Sequence, residues 1–284
     1  MTALPESGGQ WASAHYSSEV PAQAPAEDPV ALRRFALGLL DETDALILAA
    51  VRAGLQVTEK HDGTLVTQVD TDVERYLRDR IHAAYPTHGV LGEEFAAHAE
   101  QAATRWILAP IDGTHNLVRG IPVYATLVAV ERDGELQAAA VSAPALHRRW
   151  HAAAGAGATV SDLLGERPIH VSTVDRLDQA QVVWSGLAPM QAAGLGPALA
   201  ALAGTAWRDR GFGDFWGYML VAEGAAEAML EIGPSTWDLA APALIVREAG
   251  GRLTDFAGRD SIDGPRALAS NGILHAALVA QLTR

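Results

Sequence analysis

A layered α/β fold is what this sequence predicts, on three observations. From residue 181 onward, strand-like and helix-periodic segments alternate, the pattern that stacks helices on a sheet. Upstream, two apolar runs, Tyr124 to Glu131 and Leu136 to Ser142, are joined by Asp133-Gly134 and read as a β-hairpin. The chain of 284 residues is 49% apolar, with mean hydropathy +0.08, enough to fill a core and too apolar for global disorder.

The elements follow in chain order. Residues 1–28 are rich in Ala, Pro, Ser, Gly and Glu without an apolar period, and read as a disordered or loosely ordered arm before one domain over 29–284. Pro29 to Gly54 carries Leu, Ala and Ile at helical spacing and predicts a long helix. Val57 to Val69 predicts two short strand-like pieces about an Asp62-Gly63 turn. Gln68 to Tyr85 predicts a second helix, with Asp70 and Asp72 at its start and Arg75, Arg78 and Arg80 further in, the polarity a helix dipole favours. Arg105 to Ile111 predicts a short buried strand, and Arg149 to Ala154 a strand beyond the hairpin. A break near Arg167-Pro168 divides the domain into halves of about 29–165 and 166–284. The second half predicts strands at 181–185, 207–211, 228–231 and 252–256. Its helices fall at 190–203, 215–223 and 238–249, the last capped by Gly250-Gly251, with a final helix from Gly272.

Composition excludes several classes. Cysteine is absent, and with it disulfides, thiolate metal sites and thiol nucleophiles. A net charge of −13 and a pI near 5.1 argue against a nucleic-acid partner. No apolar run approaches the ~20 residues of a membrane span, so no membrane partner is expected. No basic start leads into an apolar stretch, so a cytoplasmic location is expected. Lys60 is the single lysine of the chain; it reads either as a chance surface residue or as one kept for a purpose.

Common catalytic signatures are missing: no Gly-x-Ser-x-Gly, no Walker loop, no His-Glu-x-x-His. The carboxylates carry more. Gly92-Glu93-Glu94 follows apolar Val90-Leu91 and reads as a charged turn or as paired acids at a strand exit. In Pro110-Ile111-Asp112-Gly113-Thr114 an acid ends a strand and Gly-Thr opens a helix, where backbone amides can face a phosphate; Thr114 as a plain N-cap is the alternative. Trp237-Asp238 opens an apolar helix, with Asp238 a cap or a site acid.

In this order and spacing, the three acidic sites resemble the inositol monophosphatase family of metal-dependent phosphatases. The resemblance runs from about Ala31 to the C-terminus through Gly92-Glu93-Glu94, Trp106 to Thr114 with Asn116, and Trp237-Asp238-Leu239-Ala240-Ala241 into Glu248-Ala249-Gly250-Gly251. It implies a five-layer α/β/α/β/α sandwich, with the site where the two halves meet, and a phosphomonoesterase using two or three Mg2+ ions. The matching positions imply that Glu93, the Ile111 carbonyl, Asp112 and Asp238 ligate metal. They imply that Asp70 and Thr114 orient and deprotonate the attacking water, and that the amides of Gly113 and Thr114 hold phosphate oxygens. Lys60 falls where the family often has a lysine near the site.

The family's Asp-Pro-Ile-Asp-Gly-Thr motif begins here with Ala109, so the acid expected to bridge two metals is missing and impaired activity is expected. Asp70, Glu93, Asp112, Thr114 and Asp238 all remain, which favours one deliberate substitution in an active parent over the drift of a pseudo-enzyme.

Asn116 to Val123, Val141 to Trp150 and Gly213-Asp214-Phe215 resemble the branch acting on histidinol phosphate. By that resemblance Arg210, Gly213, Asp214 and Glu231 line the organic half of the substrate, with both acids pairing its amine and imidazole. Inositol phosphate, another sugar or nucleotide phosphate, and a catalytically silent phosphate-ester-binding protein are the alternatives. The family resemblance also implies a homodimer, for which the apolar hairpin at 124–142 offers faces.

Overall fold

The structure is a computed structural model that describes residues 27–60, 63 and 65–283. Most of the expected arm, and Asp62 of the expected turn, lie outside the described residues. The chain opens with α1 (Pro29–Ala53), whose N-terminus is capped by Asp28: its Oδ1 accepts the N–H groups of Val30 and Ala31 at 3.1 and 3.0 Å. β1 (Val57–Glu59) and β2 (Leu65–Thr67) form a small antiparallel pair, and α2 (Gln68–Ala84) follows directly.

Among the described residues, two larger sheets carry the fold. The first has seven strands in chain order: β3 (Gly89–Gly92), β4 (Thr104–Asp112), β5 (Ala125–Arg132), β6 (Glu135–Ala143), β7 (Arg148–Ala153), β8 (Ala158–Asp162) and β9 (Gly165–Ile169). Only the β3–β4 pair is parallel. A short helix, α3 (Thr114–Val118), leaves the end of β4.

The second sheet has five strands in the order β11 (Arg208–Arg210), β10 (Gln181–Trp184), β12 (Ala228–Ile232), β14 (Arg266–Ser270) and β13 (Arg252–Thr254). Its helices are α4 (Leu187–Ala192), α5 (Gly196–Thr205), α6 (Asp214–Ala222), α7 (Thr236–Glu248) and α8 (His275–Leu282).

Period-two alternation divides the side chains of each sheet between separate cores. Trp106, Leu108, Val128, Val130, Ala138 and Ala140 face α1 and α2. Ile107, Ala109, Leu127, Ala129, Ala139 and Val141 face the opposite way, onto α6 and α7, where Val183 and Met229 of the second sheet meet them. Val182, Ala228, Leu230 and Leu268 face outward against α4, α5 and α8. The layers are therefore α1/α2, seven-stranded sheet, α6/α7, five-stranded sheet, α4/α5/α8: the expected five-layer sandwich. α7 fills the middle layer, and every residue from Leu239 to Val246 is buried, as a helix between two sheets must be.

Several expectations change. The change from the half built on the first sheet to the half built on the second falls after β9, not at Arg167-Pro168: both residues lie in β9, an edge strand, where a proline without an N–H is tolerated. The helix expected at 190–203 is two helices, interrupted at Gly194 with φ +77°. Strand β14 was not foreseen, because Arg-Ala-Leu-Ala-Ser has little β-branched character. Both faces of the β5–β6 hairpin are covered inside the chain, so it offers none to a second copy.

Candidate active site

The ends of β3 and β4, the starts of α2, α6 and α7, and β12 bring the acids together. Asp70 is at the third helical position of α2, 1% exposed. Its Oδ2 accepts the Thr67 N–H at 2.8 Å, and its Oδ1 lies 2.9 Å from the Thr114 hydroxyl. That hydroxyl is also 3.0 Å from the Ile111 carbonyl; with a single proton, it donates to one acceptor at a time. Burial pushes the Asp70 carboxyl above its ordinary range despite the hydrogen bonds from Thr67 and Thr114.

Gly113, not Thr114, is the N-cap of α3, with φ +86°. A side chain there would lie 2.8 Å from the Val123 carbonyl, so the turn that follows Asp112 requires glycine. Between Ala109 and Asp112 the register of β4 against β5 shifts, a bulge that re-aims the strand end at the cleft. Ala109 is fully buried, on the face of β4 that looks toward α7.

Asp112 Oδ2 accepts the Phe215 N–H at the start of α6, tying the two halves together. Burial raises the Asp112 carboxyl well above its usual value, and the charges of Asp214, Asp238 and Glu231 push in the same direction. Asp238 stands at the third position of α7, not at its cap. Ser235 caps the helix, and the Asp238 carboxylate accepts the Ser235 N–H at 2.8 Å in a capping box. Burial, with help from Asp214, lifts Asp238 to about 6.

Glu93 is lifted to about 7 by burial, with Lys60 opposing the rise and Glu94 and Asp238 adding to it. The Lys60 ammonium lies 3.3 Å from Glu93 and 2.7 Å from Glu94. Burial pulls the Lys60 pKa down, but its hydrogen bond to Glu94 and the two negative charges outweigh that and leave it raised.

On the second-half side, Asp214 adopts φ +56°, and its Oδ2 accepts from the Asn116 amide at 3.0 Å. The same amide donates to the Val123 carbonyl at 2.8 Å, so Asn116 couples α3, α6 and the Val123 loop. Glu231 accepts the Tyr218 hydroxyl at 2.6 Å and is raised to about 8, chiefly by burial. Gly213 caps α6 against Ser185, where a Cβ would come within 2.9 Å of the Ser185 Cα. Arg210 stands apart: it is exposed on the edge strand β11 and donates to the carbonyl of its neighbour Asp209 at 2.6 Å.

Three residues in and behind the site carry roles that no motif announces. Tyr218 binds Glu231, Glu94 shares Lys60, and Glu74 holds the turn after β3. Glu74 was legible in principle, four residues after Asp70 and hence on the same helix face.

A hard dication suits this donor chemistry: oxygen ligands only, on buried carboxyls whose ionisation is resisted by burial and mutual repulsion and would be favoured by a cation. The fit is incomplete where Ala109 presents a methyl group. Among the described residues, no three His, Asp or Glu side chains converge into a ready-made ion cage.

A layered phosphatase fold with clustered acids at its strand ends is thus what the chain presents. It belongs to the inositol monophosphatase family, whose sequence profile matches residues 28–284, and is a phosphoric monoester hydrolase. The histidinol-phosphatase of Mycobacterium tuberculosis is 44% identical over 252 residues, 87% of this chain and 96% of that relative. That of Streptomyces coelicolor is 41% identical over 257 residues, 88% and 96% of the two chains. The solved structure of the extragenic suppressor protein SuhB from Bartonella henselae superposes with TM-score 0.82 at 27% identity, covering 89% of this chain and 99% of that one. The family is metal-dependent, usually on Mg2+. No described helix is long and apolar enough to cross a membrane.

Proposed function

We propose that this chain derives from a histidinol-phosphate phosphatase working with two or three Mg2+ ions in the cytoplasm as a homodimer, and that Ala109 impairs it. The observation that carries the substrate assignment is the pair of acids beyond the phosphate end. Asp214 and Glu231 are held by Asn116 and Tyr218 next to Asp112 and Asp238. A cationic amine and imidazole gain from such acids, whereas a neutral inositol ring gains less. Identity of 44% to a histidinol-phosphatase supports the same reading.

Glu93, Asp112, Asp238 and the Ile111 carbonyl would hold the metal, which when bound neutralises phosphate charge and acidifies a water. The Thr114 hydroxyl donates to Asp70 Oδ1 and keeps lone pairs free to accept from that water. Burial prepares Asp70 to hold a proton at Oδ1. The Gly113 and Thr114 amides face phosphate oxygens, and Lys60 adds positive charge beside Glu93. Gly213 keeps the turn before Asp214 open; Arg210, expected beside the organic group by family position, is instead exposed on the edge strand β11 and is left out of this reading.

A second reading, an inositol phosphate or another sugar or nucleotide phosphate as substrate, is favoured by one observation. Glu231 at about 8, with Tyr218 on its Oε2, is largely neutral at pH 7 and so offers the organic group one anion fewer.

The test is phosphate release with Mg2+ from histidinol phosphate and from inositol 1-phosphate, by the chain as it stands and by its Ala109→Asp variant. Release by the variant, with histidinol phosphate preferred, supports the proposal. Preference for inositol phosphate supports the second reading. Inertness of both forms on both esters overturns both substrate assignments and favours a silent phosphate-ester-binding protein. Aspartate at this position in the natural gene marks Ala109 as a deliberate substitution; alanine there overturns that part.

A further inference from the structure

A buried carboxylate stands behind the turn that carries Glu93. Glu74 lies on α2 one turn after Asp70, with no exposed surface. Its Oε2 accepts the backbone N–H of Glu94 at 2.7 Å, and its Oε1 that of Phe95 at 3.3 Å. Arg78, one further turn along, donates Nε to Glu74 Oε1 at 2.7 Å and Nη2 to the Phe95 carbonyl at 3.0 Å. The Phe95 ring sits against the guanidinium groups of Arg75 and Arg78, at 5.5 and 5.8 Å from its centroid. Gly92 is what lets the carboxylate come so close: a Cβ there would lie 2.1 Å from Glu74 Oε1. One face of one helix therefore holds Thr114 through Asp70 and the Gly92–Phe95 turn through Glu74.

We propose that Glu74 is the positioning residue for Glu93. Its two backbone bonds fix the turn so that Glu93 and Glu94 both reach Lys60 and Glu93 is presented to the metal. The inference rests on the phosphatase reading above. A carboxylate serves both N–H groups with charge-assisted bonds, whereas a glutamine has a single acceptor oxygen and turns a donor toward the other N–H.

Mn2+, a paramagnetic substitute for Mg2+, is titrated by electron paramagnetic resonance into the chain as it stands and into its Ala109→Asp variant, each with and without Glu74→Gln. Leu77→Ala is the control, because it removes core packing from the same helix without touching the turn. Glu74→Gln is expected to weaken Mn2+ binding about 10–100-fold, the range for residues that orient metal ligands. In the Ala109→Asp background, Glu74→Gln is expected to raise the Mg2+ concentration for half-maximal activity by the same factor, and Leu77→Ala to leave it where it was. Gly92→Ala is expected to act in the same direction, and Leu77→Ala to leave Mn2+ affinity where it was. Unchanged Mn2+ affinity in Glu74→Gln overturns the inference while the phosphatase reading stands, as does an equal loss in Leu77→Ala. Failure of both parent forms to bind Mn2+ overturns the two together.

Discussion

Thr114 touches the chemistry through a single hydroxyl proton, 2.9 Å from Asp70 Oδ1 and 3.0 Å from the Ile111 carbonyl. Replacing it by valine keeps the shape of α3 and removes only the relay. In the Ala109→Asp background, Thr114→Val is expected to lower kcat about 10²-fold, within the range for a lost acid–base contact, with Mg2+ dependence unchanged. Steady-state kinetics against substrate and metal check this, and a change in metal dependence alone would contradict the assigned role. Gly113 makes a different demand. At φ +86° a side chain costs about 1–2 kcal/mol in the left-handed region, before the 2.8 Å approach to Val123 is counted. Gly113→Ala is expected to lower the melting temperature and to abolish activity with it, read by calorimetry beside the phosphate assay.

Helices and strands were legible where their side chains kept a period. α1 and α2 each bury one stripe, and the β5–β6 pair alternates between two cores, so pattern and structure agree. Legibility failed where tertiary contacts decide. The Ala-rich β14 is a strand because β12 and β13 flank it. Gly194 divides one apolar run into α4 and α5. At the site, the motif acids could be placed in order along the chain, but the roles of Asn116, Tyr218 and Glu74 depend on partners 13 to 98 residues away.

Docking of α8 supplies a pH test at this scale. His275, 3% exposed, is bonded through its two ring nitrogens to Thr254 at 2.9 Å and Ser270 at 2.7 Å. Burial, with Arg252 adding to it, lowers its pKa to about 4, below the ordinary 6.5 that the unfolded chain regains. Between those values the unfolded state binds the extra proton, so the contribution of His275 to stability falls as pH drops from about 6.5 to 4. Glu93, Glu231 and Asp238, all raised, pull the other way over the same window, so the expectation is differential: relative to the parent, His275→Gln is expected to gain melting temperature as the pH falls from about 6.5 to 4. Parallel melting-temperature profiles of the parent and His275→Gln would remove His275 from the pH dependence.

The whole molecule closes its site from two halves. Glu93 and Asp112 come from the seven-stranded sheet, Asp214 and Asp238 from the helices of the middle layer, and Glu231 from the second sheet. The Asp112–Phe215 hydrogen bond joins these halves, while the acids around it repel one another within a chain of net charge −13. A dication bound among them therefore acts on stability as well as on chemistry. Ligand that binds only the folded state stabilises by about 2.7 kcal/mol at a hundred times its dissociation constant. At this chain length that is roughly a 4–5 °C rise in melting temperature. Such a rise is expected on adding Mg2+ to the Ala109→Asp variant over its EDTA baseline. The chain as it stands is expected to need far more Mg2+ for the same shift, because the methyl of Ala109 offers no oxygen to share between two ions. Equal shifts at equal Mg2+ in both forms would show that position 109 contributes nothing to metal binding. The proposed impairment by Ala109 would then lose its physical basis.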